Sequence, residues 1–152
     1  MPLRSARPPE PSLTQRVLGI DYGRARHGLA LSDPLGITAQ PLCAVNARDA
    51  EKALGEIAAL CEEKGVTKIV VGLPLAMNGT EGLSAAEARK FADVLAAKLA
   101  LPVELWDERL TTAQAERAML DHDLSRADRK AHRDAMAAQI MLQTWLDAHR
   151  ER

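Results

Sequence analysis

One apolar stretch decides the fold: Val17-Leu18-Gly19-Ile20-Asp21-Tyr22-Gly23. Its apolar residues, closed by a glycine, predict a buried β-strand. A second strand is predicted over residues 27–32, and the short connection indicates an antiparallel hairpin. Asp21 ends the first strand, where a carboxylate is costly to desolvate unless it is paired or binds a metal. The alternative interpretation is an Asp that caps the hairpin turn.

Further strands and helices follow this hairpin. A short strand is predicted around 41–45, a β-branched buried strand over 67–71 and another strand over 103–106. The first helix is predicted to begin near residue 48 with Asn46 as its N-cap, and the second to begin at 84. A third is predicted over about 112–120. A charged, loop-like stretch at 121–130 then precedes a last, amphipathic helix. This order predicts an α/β fold with a five-stranded mixed sheet, in which an antiparallel β1-β2-β3 meander precedes parallel strands and helices cover both faces.

Length and composition limit the class of protein. The chain has 152 residues, of which 47% are hydrophobic and 27% charged, so we expect one globular domain over 16–150. Residues 1–15 are Pro-rich and predict a disordered N-terminal tail. The net charge of −1 argues mildly against nucleic-acid binding, although a local basic patch can supply the positive field.

The cysteines and the hydropathy of the sequence predict the cellular compartment of the protein. Cys43 and Cys61 have no metal or redox spacing, so both are predicted to be reduced, as in the cytoplasm. No apolar run approaches the roughly 20 residues of a membrane span, and residues 1–10 lack the apolar region of a signal peptide. We therefore expect a cytoplasmic protein that does not enter a membrane.

Three acidic residues are candidates for one site. Asp21 and the pair Asp107-Glu108 follow apolar strands, and ligands of open α/β sheets gather at the carboxyl ends of strands. Asp134 borders the apolar face of the last helix, where it can also be a simple first-turn carboxylate favoured by the helix dipole. Carboxylates that converge repel each other unless cations lie between them, and ligands that are all oxygen suit Mg²⁺ or Mn²⁺. Such a site can activate water against a phosphodiester.

Basic residues flank these acids in the sequence, and cations there can contact phosphates. Aromatic residues are only 3% of the chain, which favours recognition of backbone and shape over base stacking. The alternative is a solvated loop and helix face. The candidates for nucleic-acid binding are Arg24, Arg26, Arg109, Arg126, Arg129, Lys130 and Arg133.

Four blocks of sequence resemble the YqgF/RuvX family, in the family's order and across about residues 17–146. They are Gly19-Ile20-Asp21-Tyr22-Gly23 with Gly28, Val70 to Thr80, Asp107 to Thr112, and Asp134 with Ala137-Ala138 and Leu142-Gln143. His27 departs from the family, which usually has an aliphatic residue there, and Ala76 stands where Asn is frequent.

The resemblance implies an RNase H-like fold related to the RuvC Holliday-junction resolvases. It implies an endonuclease, either for Holliday junctions or for the 5′ end of precursor 16S ribosomal RNA. It further implies that Asp21, Glu108 and Asp134 are the metal-binding catalytic acids. Asp107 also fits the motif, but strand alternation directs it to the other face.

Two other functions remain open at this point. The first is a module that binds branched DNA or RNA without cutting it. The second is an actin-like or sugar-kinase-like ATPase, whose first phosphate motif Asp21-x-Gly23 resembles; that machinery needs two such domains, and 152 residues supply one. A resolvase that cuts two strands symmetrically would favour a homodimer, whereas a processing nuclease can act as a monomer.

Overall fold

A computed structural model describes residues 15–73, 83–107 and 126–150 of the chain. Five strands and three helices lie in these ranges. Apart from Gln15, the predicted tail falls outside them, as does the predicted helix at 112–120. The elements are β1 (Arg16–Asp21), β2 (Arg26–Ser32), β3 (Ala39–Asn46), α1 (Ala50–Lys64), β4 (Val66–Leu73), α2 (Leu83–Leu99), β5 (Val103–Asp107) and α3 (Arg126–Ala148).

The strands form one mixed sheet in the order β3-β2-β1-β4-β5. β2 pairs antiparallel with both β1 and β3, while β4 pairs parallel with both β1 and β5. The predicted fold class is therefore confirmed. β1 lies at the centre of the sheet, which explains why its sequence is apolar almost to its last residue.

Helices cover the two faces of the sheet unequally. One face packs against α1 and α2 through a core that includes Leu18, Ile20 and Leu29 of the strands and Ile57 and Leu95 of the helices. Among the described residues, the other face packs against α3, with Val17, Ala30 and Val70 meeting Leu142 and its neighbours. Consecutive residues of a strand therefore point to different helices, and we call these the α1/α2 face and the α3 face.

Two glutamine side chains of α3 bind the beginning of β3. Gln143 accepts a hydrogen bond from the amide of Ala39 at 2.8 Å and donates one to the carbonyl of Ile37 at 3.0 Å. Gln139 donates to the carbonyl of Ala39 at 3.1 Å. These bonds fix the long helix relative to the edge strand.

The ends of two helices differ from the sequence prediction. Asn46 was expected as the N-cap of α1, but the cap is Asp49, whose carboxylate accepts from the amide of Lys52. Asn46 instead accepts from the amide of Arg48 in a local turn, a competing use of the same side chain. α3 begins at Arg126, within the segment predicted as a loop, because Arg and Lys are good helix formers despite their charge.

Candidate active site

Asp21 ends the central strand with a glycine beside it on each neighbouring strand. Its register partners are Gly28 of β2 and Gly72 of β4. Val17 packs against α3, and a Cβ added at Gly19 would lie 2.9 Å from Cβ of Leu142. Strand alternation therefore directs the Asp21 side chain to the α3 face as well. Neither lateral neighbour has a side chain to fill the space around this carboxylate.

Gly28 brings Asp134 to this position. A Cβ built on Gly28 would lie 1.9 Å from the carbonyl oxygen of Asp134 and 3.1 Å from its Cα, so the backbone of α3 rests directly on the strand. Because cross-strand partners are about 5 Å apart, the Cα atoms of Asp21 and Asp134 lie within about 10 Å of each other. The structure thus brings together two acids that are far apart in the sequence.

Arg26 forms an ion pair with Asp134. Its Nε donates to Oδ2 of Asp134 at 2.7 Å, and the two side chains are 32% and 26% exposed. A charge-assisted bond this short orients the carboxylate. Arg26, predicted to contact phosphate, therefore holds one of the predicted metal ligands.

Asp134 does not lie where the dipole interpretation would place it. Because α3 begins at Arg126, the residue is more than two turns inside the helix, beyond the first turn in which the dipole favours a carboxylate. Its position is instead explained by the contact with Gly28 and by the ion pair. The alternative of a simple first-turn acid is wrong.

β5 supplies the next residues on the α3 face. Oε2 of Glu104 accepts from Nε1 of Trp145 at 3.0 Å, and Trp106 packs against the α3 cluster. Burial acts to raise the pKa of Glu104, but hydrogen bonds from Trp145 and Lys68 hold that pKa below its usual value. Glu108, the third predicted acid, and Arg109 lie outside the described residues.

Within ranges 15–73, 83–107 and 126–150, no three His, Cys, Asp or Glu side chains form a group that could hold a metal ion. Asp21 and Asp134 are both within these ranges and supply two carboxylates on one face.

The predicted basic residues divide between two surfaces. Arg26 faces Asp134, whereas Nε of Arg24 bonds Oε1 of Glu87 on α2 at 2.9 Å. Lys130 and Arg133 are exposed on α3 close to Asp134 in the chain. Arg126 and Arg129 are in the first turns of α3, and their side chains lie outside the description.

His27 points away from the acids. It is 3% exposed on the α1/α2 face, where its ring lies 5.0 Å from that of Tyr22 and 4.6 Å from that of Phe91. Burial lowers the pKa of His27 to about 4, so the ring is neutral at pH 7. Nδ1 accepts from the amide of Gly23 at 3.2 Å, which assigns the ring proton to Nε2.

Gly28 is the site residue that sequence reasoning from the residues themselves missed. The sequence analysis named Gly28 only as part of a family motif, yet this residue determines the position of Asp134. The available signal was a glycine inside an apolar strand, which marks a place where another backbone approaches closely.

A mixed sheet in this order, with carboxylates beside the end of its central strand, defines a protein of the RNase H-like class. Solved structures agree on the fold. Thermus thermophilus RuvC in complex with a Holliday junction substrate has a TM-score of 0.53 at 18% identity, over 88% of this chain and 94% of that one. The fowlpox virus resolvase with Holliday junction DNA has a TM-score of 0.56 at 8% identity, over 90% and 100%.

Sequence comparisons give the family. The RuvX model, described as "Holliday junction resolvase", matches residues 15–148, and the chain belongs to this family. A relative in Myxococcus xanthus is 49% identical over 89% of each chain, and one in Pelotomaculum thermopropionicum is 50% identical over 88% of this chain and 87% of that one. Both are named "Putative pre-16S rRNA nuclease".

Proposed function

We propose that this chain is a divalent-metal-dependent endonuclease that uses Asp21, Glu108 and Asp134 to hold the cations against a phosphodiester of nucleic acid. The main observation that supports this proposal is the contact of Gly28 with Asp134, which brings that acid beside Asp21 on the α3 face. Family membership supports the reaction, because the family model and the curated relatives both describe nucleases.

The proposal for Glu108 rests on strand alternation. Glu104 and Trp106 both contact α3, and residues two apart on a strand share a face. By the same alternation Asp107, the last residue of β5, belongs to the opposite face. We propose that the alternation continues for one more residue, which would direct Glu108 to the α3 face. Glu108 is therefore the better candidate for the third ligand.

The donor set fits small, hard cations. Three carboxylates supply only oxygen, which suits Mg²⁺ or Mn²⁺. When bound, such cations neutralise charge on the phosphate and activate a water molecule. The chain's own residues do the positioning: the rigid central strand places Asp21, and Arg26 orients the carboxylate of Asp134.

Phosphate contacts are proposed for the basic residues around the acids. Lys130 and Arg133 lie exposed on α3, so a nucleic-acid strand that runs along this helix would contact them beside Asp134. The full proposed set is Arg24, Arg26, Arg109, Arg126, Arg129, Lys130 and Arg133.

Precursor 16S ribosomal RNA is the substrate we favour, because relatives at 49–50% identity carry the name of a pre-16S rRNA nuclease. A Holliday junction is the second candidate, favoured by the description of the family model. We propose a cytoplasmic location, which the unpaired Cys43 and Cys61 support. None of the described helices is long and apolar enough to cross a membrane. A homodimer is proposed only for the junction activity.

The experiment compares Asp21→Asn with a matched control, Asp93→Asn, which changes an exposed acid of α2. Cleavage of a ribosomal RNA precursor and of a four-way junction is measured side by side with Mg²⁺, Mn²⁺ or EDTA. Asp21→Asn should lower cleavage about a thousand-fold and keep the fold, since a lost ligand removes several kcal/mol of transition-state stabilisation.

Two results would contradict the proposal. Full activity of Asp21→Asn would exclude the metal site. A wild-type chain that binds both substrates and cuts neither, with any divalent cation, would instead identify the binding module without catalysis.

A further inference from the structure

A cavity opens on the α1/α2 face, beside the end of β1. Its volume is about 260 Å³, and aromatic and aliphatic side chains line most of it, among them Tyr22, His27, Phe91, Leu54 and Val94. Tyr22 follows Asp21 directly, so the two side chains leave adjacent backbone positions, about 3.8 Å apart, toward opposite faces of the sheet. The cavity therefore lies next to the proposed site without being part of it.

Aromatic rings are concentrated in this cavity. The chain has one Tyr and one Phe, and both line it. The rings of Tyr22 and Phe91 are 5.3 Å apart, and His27 lies 5.0 Å from the first and 4.6 Å from the second. His27 is neutral and only 3% exposed, so its ring packs against the other two and leaves Tyr22 and Phe91 as the accessible rings. The planes of the three rings are tilted to one another by 33–53°, so Tyr22 and Phe91, which are partly exposed, form an aromatic wall on which a planar ligand can stack against one ring or the other.

Polar groups lie among the lining residues of this apolar space. Glu87 and Lys90 of α2 both line the cavity, and Glu87 is held by Arg24 at 2.9 Å. A carboxylate can accept from the amino groups of a base, while Lys and Arg can contact the phosphates of the chain that carries it. An aliphatic ligand would use neither group.

We propose that this cavity binds one unpaired nucleobase, close in the strand to the phosphate that is cut. The inference rests on the proposed nuclease function and adds a base-binding site to it. The volume exceeds that of a purine ring, the partly exposed rings of Tyr22 and Phe91 supply stacking, and the polar groups match the edge and backbone of a nucleotide. The enzyme would then require a single-stranded or locally opened nucleotide beside the cut.

The test measures binding in EDTA, so that cleavage plays no part. The probe is an RNA hairpin with a 5′ single-stranded extension, in a series in which one nucleotide after another is made abasic. Wild type should lose affinity about ten-fold at one position and little elsewhere, because the stacking of one base is lost only there. 2-Aminopurine at that position should change its fluorescence on binding.

Ala50→Phe blocks the cavity from α1, because Ala50 is exposed and lines it. The variant should bind intact and abasic hairpins alike, with no change in 2-aminopurine fluorescence. Ala59→Phe, at an exposed position of the same helix, is the matched control and should behave as wild type. Val94→Trp, which fills the cavity from α2, replaces Ala50→Phe if that variant fails to fold.

The outcomes separate the two proposals. Equal binding of every hairpin by wild type would overturn the base site and leave the nuclease intact; a cavity that serves a protein side chain would give this result. A ten-fold loss that persists in Ala50→Phe would place the base elsewhere and overturn the inference. Failure of wild type to bind any hairpin would overturn the base site, while the cleavage assay on the ribosomal RNA precursor and the four-way junction would still decide the proposed nuclease function.

Discussion

The two faces of the sheet differ sharply where β1 ends. On the α3 face, Asp21 and Gly28 lie beside Asp134 and Arg26, so charged groups meet on a surface with little side-chain volume. On the α1/α2 face, one residue along each strand, aromatic rings surround a neutral, buried histidine. A shift of one residue on a strand thus separates a polar site from an apolar one, and substitutions should affect the two faces in different ways.

The largest effect on stability is expected for Gly28→Ala, which tests how α3 packs on the sheet. Its new Cβ would lie 1.9 Å from the carbonyl of Asp134, so the helix must move. We expect a loss of about 3 kcal/mol in the free energy of unfolding by urea. Cleavage should fall at least about a hundred-fold because Asp134 is displaced.

Gly55→Ala is the control for this substitution, since nothing lies within 4 Å of a Cβ at that exposed helical position. It should stabilise the chain by about 0.5 kcal/mol, because alanine loses less backbone entropy than glycine in a helix. Unchanged stability and activity of Gly28→Ala would contradict the packing of α3 against β2.

The second largest effect is expected on the pH dependence of stability, through His27 on the α1/α2 face. His27 has a pKa of about 4 in the folded chain and about 6.5 when unfolded, so only the unfolded state takes up its proton between these values. The stability from the neutral ring is complete above pH 6.5 and is lost as the pH falls toward 4. Wild type should lose about 2 kcal/mol from this residue between pH 7 and pH 5.

His27→Leu should remove that part of the pH dependence, measured by urea unfolding at both pH values. The variant also leaves the amide of Gly23 without its acceptor, so its stability at pH 7 should be lower than that of wild type. An identical pH dependence in variant and wild type would show that His27 is accessible to protons in the folded state.

The smallest effect is expected on Mn²⁺ affinity, when one arginine from each surface is replaced. Arg26→Ala removes a positive charge beside Asp134, so Mn²⁺ affinity, measured by electron paramagnetic resonance, should rise about three- to ten-fold. Arg24→Ala, whose partner is Glu87 on α2, should leave that affinity unchanged. Equal changes in the two variants would mean that the cation does not bind next to Asp134.

Much of this arrangement could be predicted from local pattern. The apolar run to Asp21 and the β-branched run at 67–71 predict buried strands because period and side-chain shape act locally. The register of β1 with β2 follows from the short connection between them. Asp21 stood out because an acid at the end of a buried strand needs a partner.

What could not be predicted depends on contacts across the chain. The ion pair of Arg26 with Asp134 joins residues 108 positions apart, and no local pattern encodes it. The split of the basic residues has the same origin: Arg24 and Arg26 are two residues apart, yet one bonds α2 and the other α3. The N-cap of α1 was misplaced because Asn46 and Asp49 are both suitable caps, and only the path of the chain after β3 selects between them.

Gln143 gives the acidic site a dependence on a distant edge of the molecule. Its side-chain amide bonds Ala39, the first residue of β3, and Ile37, which precedes that strand, and so opposes movement of α3 along its own axis. Asp134 lies roughly 14 Å from Gln143 along the same helix, at a rise of 1.5 Å per residue. Loosening this remote anchor would change where the carboxylate stands relative to Asp21, although no atom of the glutamine comes near either acid.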